Sequence, residues 1–532
     1  MLQMLRSHGV SHVFGLPGVH NLPFWDSDSG PRIIGVRHEQ AAGYAADALA
    51  RTTGGLGVAL TTTGPGAMNV LAAFGEAAVS HSAIIVIASD VSSALRRAVP
   101  RGILHEMHDQ AAGFAALTPD ADLASNCTTA EQAIEALATA LAHFEFHGEV
   151  AAYIGVPTDV LAQTTDHSAA GMIDAAGEPH LEPALAALAR SSRPLVWLGG
   201  GAAAFCDRPE GEVLLRSLVE RLGAPVVTSF AARGVLAGHA LLVDAPVHEP
   251  EVHALLTAAD CLLVLGSDFD GMNTRNWRLP VPPEVITVNH AVEPIRTNLP
   301  GAVHLLADLG IVGALTARLP KRQAWREVHG IAPAMRARLR ADARGEAGMR
   351  LVESIERGWP ADGAVIADMC VAGYWVAGYA QQPRPRRLGY PVGWGTLGYA
   401  LPAAIGPASA GIATLAVCGD GGAMFALGEL ATYVQERLPV TLLVNDDGGY
   451  GMLRYDQQVF GHPERGVDLL TPDWLALASA FGIDGVEAAD DELEGALHWA
   501  HARNLHGHPA LVLNRTRLTP PRTTSPRWNE PM

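Results

Sequence analysis

Lysine is almost absent: Lys321 is the only one in 532 residues, so arginine carries nearly all the positive charge. A Walker A loop requires Gly-Lys-Ser/Thr, and pyridoxal or Schiff-base chemistry requires an active-site lysine. Lys321 lies in Leu-Pro-Lys-Arg-Gln and offers neither context. Charge of either sign is sparse at 17%, and acids outnumber bases 55 to 37, for a net charge of −18. That balance argues against a nucleic-acid partner, because phosphate binding needs clustered cations. The few cysteines, Cys127, Cys206, Cys261, Cys370 and Cys418, form no Cys-x-x-Cys. A disulfide framework and a zinc ribbon are thereby excluded, and free thiols suit a reducing cytoplasm. No apolar run reaches the about 18–20 residues of a membrane helix, and no basic segment followed by an apolar run opens the chain. A cytoplasmic protein without membrane contact is expected. No solenoid repeat occurs, and no strand-linked Gly-x-Gly-x-x-Gly with a downstream acid supports a nicotinamide dehydrogenase.

What is present is alternation. Short runs rich in Val, Ile and Leu (32–36, 56–60, 83–88, 150–156, 195–198, 261–265, 364–367, 412–418 and 440–444) separate Ala-rich helical stretches such as 130–143 and 183–189. Continuous apolar runs bounded by Gly or Asp read as strands buried on both faces, hence parallel sheets in an α/β protein. The polar segment 169–180 and the Arg-rich segment 322–350 read as linkers, the second containing a helix. The length suits about three domains. The chain divides into 1–165, 180–320 and 345–532, each a doubly wound parallel sheet, with an extended Pro-containing tail from 518.

Two acidic turns carry the first chemistry. A strand over 412–418 ends in Gly419-Asp420-Gly421-Gly422, and a helix is expected over 423–436. A second strand over 440–444 ends in Asn445-Asp446-Asp447-Gly448-Gly449-Tyr450-Gly451. This βαβ unit puts carboxylates at the carboxyl ends of parallel strands, where open α/β sheets bind ligands. Glycines there let backbone N–H groups approach an anion. Hard oxygens combined with phosphate oxygens make an octahedral Mg²⁺ site. Gly-Asp-Gly alone is a common turn; its pairing with a second acidic turn, with 25 residues between Gly421 and Asp447, is far more specific.

The pair resembles the signature of thiamine diphosphate enzymes, and the resemblance extends over nearly the whole chain. It is closest to the acetolactate synthase, pyruvate oxidase and 2-oxo acid decarboxylase group. The resemblance implies pyrimidine-binding, central nucleotide-fold and diphosphate-binding domains in that order. It implies that Asp420, Asp447 and the Gly449 carbonyl hold Mg²⁺ against the diphosphate, with Gly419, Gly421 and Gly422 at the cofactor. Asp446-Asp447 departs from the usual Asn-Asn, and an added carboxylate there costs Coulomb energy unless the metal or an arginine offsets it. A different register would put Asn445 on the metal instead.

Further marks follow in order. In Arg37-His-Glu39, Glu39 enters a small-residue helix after a strand; standing alone it reads as a carboxylate compensating a helix dipole. The resemblance instead implies that Glu39 hydrogen-bonds N1′ of the aminopyrimidine and so activates the cofactor. Phe14-Gly-Leu-Pro-Gly-Val-His-Asn21 resembles the first turn of the pyrimidine domain, and Thr61-Thr-Thr-Gly-Pro-Gly-Ala-Met-Asn69 its Gly-Pro-Gly turn, with Asn69 at the cofactor. Gly393-Trp-Gly-Thr-Leu-Gly398 resembles the loop that bends the cofactor, with Leu397 as its prop and the Gly395 carbonyl accepting from the 4′-amino group. The family builds each active site from two subunits, which implies a homodimer or homotetramer. Gly199-Gly-Gly201 and Gly266-Ser-Asp-Phe-Asp270 fall where some relatives bind FAD, but neither has dinucleotide-binding spacing.

The substrate pocket is expected to draw on Val19, His20, His105, Gln110, Leu397, Met452 and Leu453. Histidines titrate near neutrality and can move a proton at a reacting oxygen or carbon; His20 and His105 are the catalytic candidates, and His108 a weaker one. Simple pyruvate decarboxylases carry an Asp, an adjacent His-His pair and a Glu, where this chain has Val19, His105-Glu106 and Leu453. Gly18-Val-His20 is similar to benzaldehyde lyase. The less acidic pocket favours carboligation of a 2-oxo acid or aldehyde, acetolactate synthase-like. Acyloin lyase, simple decarboxylase and an inactive cofactor-binding paralogue are the alternatives.

Overall fold

The computed structural model describes residues 1–26, 30–97, 99–118, 120–165, 167, 169, 179–291 and 293–524. Three parallel sheets form along the chain. The first has strands β1 (His12–Gly15), β2 (Arg32–Gly35), β3 (Gly57–Thr61), β4 (Ile84–Asp90), β5 (Ala124–Asn126) and β6 (Ala151–Pro157), in the order β2-β1-β3-β4-β6-β5. The second has β7 (Pro194–Leu198), β8 (Val226–Thr228), β9 (Cys261–Leu265), β10 (Glu284–Asn289) and β11 (Val303–Leu306), ordered β11-β10-β9-β7-β8. The third has β12 (Ala364–Ala367), β13 (Leu388–Gly389), β14 (Thr414–Gly419), β15 (Val440–Asn445), β16 (Asp484–Glu487) and β17 (Ala510–Asn514), ordered β13-β12-β14-β15-β17-β16.

The central strands β3, β4, β7, β9, β12 and β15 are buried at every position. That explains their unbroken Val/Ile/Leu runs, since helices cover both faces of a parallel sheet. Each sheet reverses its winding between β1 and β3, β7 and β9, or β12 and β14, and the first and third reverse again at the far edge, where β6 lies inside β5 and β17 inside β16. Strands flanking a reversal send their following loops apart and leave a crevice at their carboxyl ends. The crevices therefore open at loops 16–21 and 62–64, at 199–201 and 266–270, and at Asp368 and Asp420.

The predicted strands 261–265 and 364–367 form with those bounds, and the Arg-rich segment contains the helix Ile331–Ala341. Most of the segment 169–180 and the tail beyond 524 lie outside the described residues. One expectation fails. In place of a helix over 423–436 there is a short helix Asp420–Ala423, a 3₁₀ turn Leu427–Glu429 and a helix Leu430–Gln435. Glycines at 421, 422 and 428 weaken a continuous helix. The buried Glu429 carboxylate accepts from Arg37 N at 2.8 Å and Thr432 Oγ1 at 2.7 Å, which pins the break to the first domain.

Candidate active site

At the third crevice, Asp420 begins the short helix after β14 and is 1% exposed. Its Oδ2 is buried and has no hydrogen-bond partner among the described residues. Burial, with Asp447 and Asp446 nearby, pushes its carboxyl up to about 6. Asp447 Oδ1 is likewise buried and unbonded; burial raises this carboxyl too, against the opposing pull of Arg454, whose Nη1 is 3.8 Å away. Buried carboxylate oxygens that accept no hydrogen bond are costly unless a cation completes them, and Arg454 approaches only Asp447. Among the described residues no third His, Cys, Asp or Glu joins them as a full metal cluster, so further oxygens must come from backbone and ligand.

The loop after β15 separates the duties of its three polar residues. Asn445 Nδ2 donates to Asn514 Oδ1 at 3.0 Å and to the Thr516 carbonyl at 2.9 Å, which ties it to β17. Asp446 accepts from Arg515 at 2.6 Å and from Gly448 N at 3.1 Å, so an arginine offsets the extra carboxylate. Asp447 alone remains uncommitted to a hydrogen bond through Oδ1. Gly449 sits in a bridge with Asp468. The bonds of that bridge run from Tyr450 N to Val467 O and from Leu469 N to Gly448 O, leaving the Gly449 carbonyl outside the ladder. Gly449 has φ +151°, and a Cβ there would lie 1.9 Å from Val467 O, so only glycine fits.

The glycine turn is equally tight. A Cβ at Gly421 would strike the Tyr450 ring at 2.6 Å, and one at Gly422 would meet Asp368 Oδ2 at 2.9 Å. Gly419 lies at the carboxyl end of β14, opposite Asn445. Asp368, which the sequence reading missed, is 1% exposed at the end of β12. Its Oδ1 accepts from Met369 N at 2.8 Å and Gly398 N at 3.1 Å. Burial pushes its carboxyl to about 6. Asp368 thus stands between the glycine turn and the loop carrying Leu397.

That loop, with Gly395 at φ +72° and Leu397 39% exposed, is clamped from the first domain. Buried Glu76 accepts from Gly393 N at 3.2 Å and Trp394 N at 2.9 Å; Arg51 joins Glu76 to Asp47, and Tyr399 donates to Asp47 at 2.7 Å. Nothing in the local spacing pointed to this network, because its two halves, 47–76 and 393–399, lie more than 300 residues apart. Met452, in the first turn of the helix Gly451–Val459, packs against the buried cluster that holds Phe230, Tyr374 and Tyr390.

In the first domain Glu39 opens the helix Glu39–Thr53 and is 7% exposed. Its Oε2 accepts from Asn69 Nδ2 at 3.0 Å, and Gly66 faces Oε1 closely enough that a Cβ would lie at 3.2 Å. Gln110 is fully buried and braces the Gly-Pro-Gly turn: its Oε1 accepts from Gly64 N at 2.7 Å and Thr63 Oγ1 at 3.1 Å. It is therefore a scaffold residue and not a pocket wall. His20 and His105, distant in sequence, bring their rings to 5.0 Å. Burial and the neighbouring His105 lower the His20 pKa. His105 holds φ +68° and buries an unbonded Nδ1. His108 is exposed on the same loop.

At the second crevice Gly200, Gly201, Gly266, Asp268 and Asp270 line a cavity of about 560 Å³ between all three domains. The three arginines on its wall are committed: Arg208 to Asp308, Arg386 to Asp207, and Arg51 to Asp47 and Glu76.

Comparison with known proteins agrees with this arrangement. Residues 1–113 match the thiamine pyrophosphate enzyme N-terminal TPP binding domain, 181–317 the central domain and 368–513 the C-terminal TPP binding domain. The chain is 35% identical to the probable 2-ketoarginine decarboxylase of Pseudomonas aeruginosa, over 93% of this chain and 90% of that protein. It is 30% identical to the acetolactate synthase large subunit of Parasynechococcus marenigrum, over 93% and 83%. It is 28% identical to the isozyme 2 large subunit of acetolactate synthase from Escherichia coli, over 93% and 92%. With three domain models matched in order around two acidic crevices, the chain belongs to the thiamine pyrophosphate enzyme family, as a member of its decarboxylase and carboligase group.

Proposed function

We propose that the chain binds thiamine diphosphate with Mg²⁺ and decarboxylates a 2-oxo acid, in active sites shared between two copies of itself. The observation that carries this reading is the pair of buried, unbonded oxygens Asp420 Oδ2 and Asp447 Oδ1 at the carboxyl ends of adjacent parallel strands. Mg²⁺ prefers hard oxygens in octahedral array and is commonly held by one or two carboxylates plus phosphate. Asp420, Asp447 and the Gly449 carbonyl supply three oxygens. Asn445 serves as a brace for the loop. Gly419, Gly421 and Gly422 keep the turn free of side chains where a diphosphate would approach.

When bound, the cofactor supplies a sink for the electrons released as CO₂ leaves the substrate. Asn69 orients Glu39, which moves a proton at N1′ of the aminopyrimidine. The Gly395 carbonyl would accept from the 4′-amino group, and Leu397 and Met452 would pack against the cofactor and exclude water. His20 and His105 stand as a proton relay for the substrate carbon that CO₂ leaves behind. The relatives named 2-ketoarginine decarboxylase and acetolactate synthase support a 2-oxo acid as substrate.

A second copy supplies the other half of each site. This is supported by large apolar side chains that stand exposed on the site loops, including Val19, Leu104, Phe425 and Leu470. Sedimentation should therefore give a dimer or tetramer. FAD has no part in this reading, because the cavity's arginines are already paired and a diphosphate would have to displace carboxylates.

Carboligation is the second reading, favoured by the apolar Val19, Leu397 and Leu453, which offer no acid to hasten aldehyde release. One experiment separates the two. Reconstituted protein is given a panel of 2-oxo acids, and CO₂, aldehyde and acyloin are measured together. Aldehyde matching CO₂ supports decarboxylation; acyloin or acetolactate matching CO₂ supports carboligation. No cofactor binding by calorimetry with Mg²⁺ present overturns both.

A further inference from the structure

The helix Gly451–Val459 leaves the metal loop and presents Met452, Asp456 and Val459 on one face, since residues four and seven apart align. Asp456 lies one turn beyond Met452, about 6 Å further along the axis. Its Oδ1 is buried and has no hydrogen-bond partner among the described residues. Burial raises this carboxyl. The nearby cation of the same helix, Arg454, is engaged by Asp468 at 2.9 Å and by the Gly448 carbonyl at 3.1 Å. Across from Asp456 is Tyr374, on the helix Val371–Tyr379, whose hydroxyl feels the Asp456 charge. Tyr374 packs with Tyr390, Phe230, Met369 and Met452.

An acid with a desolvated oxygen beside aromatic rings is the complement of an organic cation. Carboxylates form their strongest hydrogen bonds with guanidinium and ammonium groups, and aromatic faces attract the same ions. The position is also right: one helical turn from the residue that borders the reacting end of the cofactor, within reach of a short aliphatic tether. We propose that Asp456 is the specificity determinant of the pocket, and that the substrate class is a 2-oxo acid whose side chain ends in a guanidinium or ammonium group. The assignment rests on the thiamine diphosphate reading above.

The test uses the full chain loaded with thiamine diphosphate and Mg²⁺. CO₂ release from 5-guanidino-2-oxopentanoate is compared with that from the neutral 2-oxohexanoate, in wild type, Asp456→Asn and Asp456→Glu. The wild type should favour the cationic acid by about thirtyfold in kcat/KM, the scale of a hydrogen bond to a charged group. Asp456→Asn should abolish that preference while leaving the neutral acid nearly unchanged, and Asp456→Glu should retain part of it. In parallel, calorimetry follows 5-guanidinopentanoate, which lacks the reactive carbonyl, and its affinity should fall by a similar factor in Asp456→Asn. Equal losses for both acids, or equal binding of the unreactive analogue to wild type and Asp456→Asn, overturn the assignment. So does dissociation of Asp456→Asn into monomers, which would assign the carboxylate to a cation of the second copy. If the analogue binds in an Asp456-dependent manner while no 2-oxo acid is consumed, the proposed reaction falls and the anchor stands. If neutral acids are consumed without any preference for charge, the anchor falls and the reaction stands.

Discussion

Glu39 shows how much a single residue's meaning depends on its neighbours. In sequence it is an acid at a helix start, the commonest place for one. In the fold it is buried, bonded to Asn69 and approached closely by Gly66. Glu39→Gln should lower kcat by about a hundredfold or more, the scale of lost proton transfer, while cofactor affinity measured by calorimetry stays within about threefold of wild type. Asp420 makes a second residue-scale prediction. Its folded value of about 6 lies above the ordinary 3.8, so the folded state holds its proton longer than the unfolded state. The cofactor-free protein therefore loses stability as pH rises from 3.8 through about 6. Mg²⁺ needs the ionised carboxylate, so its affinity should rise over the same span. Below the folded pKa only the ionised fraction can bind, and calorimetry should find roughly tenfold weaker Mg²⁺ binding for each pH unit lost there. The candidates Asp420, Asp447, Glu39 and Asn69 could be picked out from sequence because each lies in a short, spaced motif. Asp368, Glu76 and Asp456 could not, because an isolated acid in an apolar run signals nothing until its surroundings are known.

Among the elements, the helix Glu39–Thr53 is legible as a small-residue helix, and the fold supplies the reason for the small residues. Its Ala45 and Leu49 backbone lies against Gly406 in the helix Ile405–Ser409, where a Cβ would come within 2.1 Å of the Ala45 carbonyl. The first and third domains thus meet backbone to backbone. Gly406→Ala forces this seam apart and should cost about 2 kcal/mol or more, as overpacking does, read as a lower urea midpoint with unchanged slope. The broken segment after Gly419 teaches the opposite lesson. Its glycines only weaken a continuous helix, and the bond of Glu429 to Arg37 in another domain decides where it breaks. Strand positions were readable because burial on both faces writes an unbroken apolar run; this helix break was not, because its cause is 392 residues away.

Across the whole molecule the domains share their cores. One buried cluster joins Phe14, Ala45 and Phe74 of the first domain to Tyr399, Ile405 and Val444 of the third. A second joins Trp197 and Leu262 of the central domain to Trp375, Val417 and Val512. Shared cores carry buried histidines, and these set the response to acid. His253, 4% exposed, is pushed down to about 4 by burial, with Arg275 and Arg522 adding to the effect. Its folded pKa lies below the ordinary 6.5, so the neutral form is favoured on folding. The stability this contributes is complete above 6.5 and lost as pH falls toward 4. The thermal midpoint should drop over that window, and His253→Phe should flatten the drop, measured by calorimetry against pH. Asp420 and Asp368 pull the other way over the lower part of the window, so the variant comparison isolates the histidine. The sequence by itself determined the parallel α/β architecture, the family and the acidic turns, because periodicity and short-range spacing are local properties of a chain. Only the tertiary structure decided which carboxylates are orphaned, which arginine neutralises Asp446, and that His20 meets His105. Desolvation and contact between distant segments exist only once the chain has closed on itself.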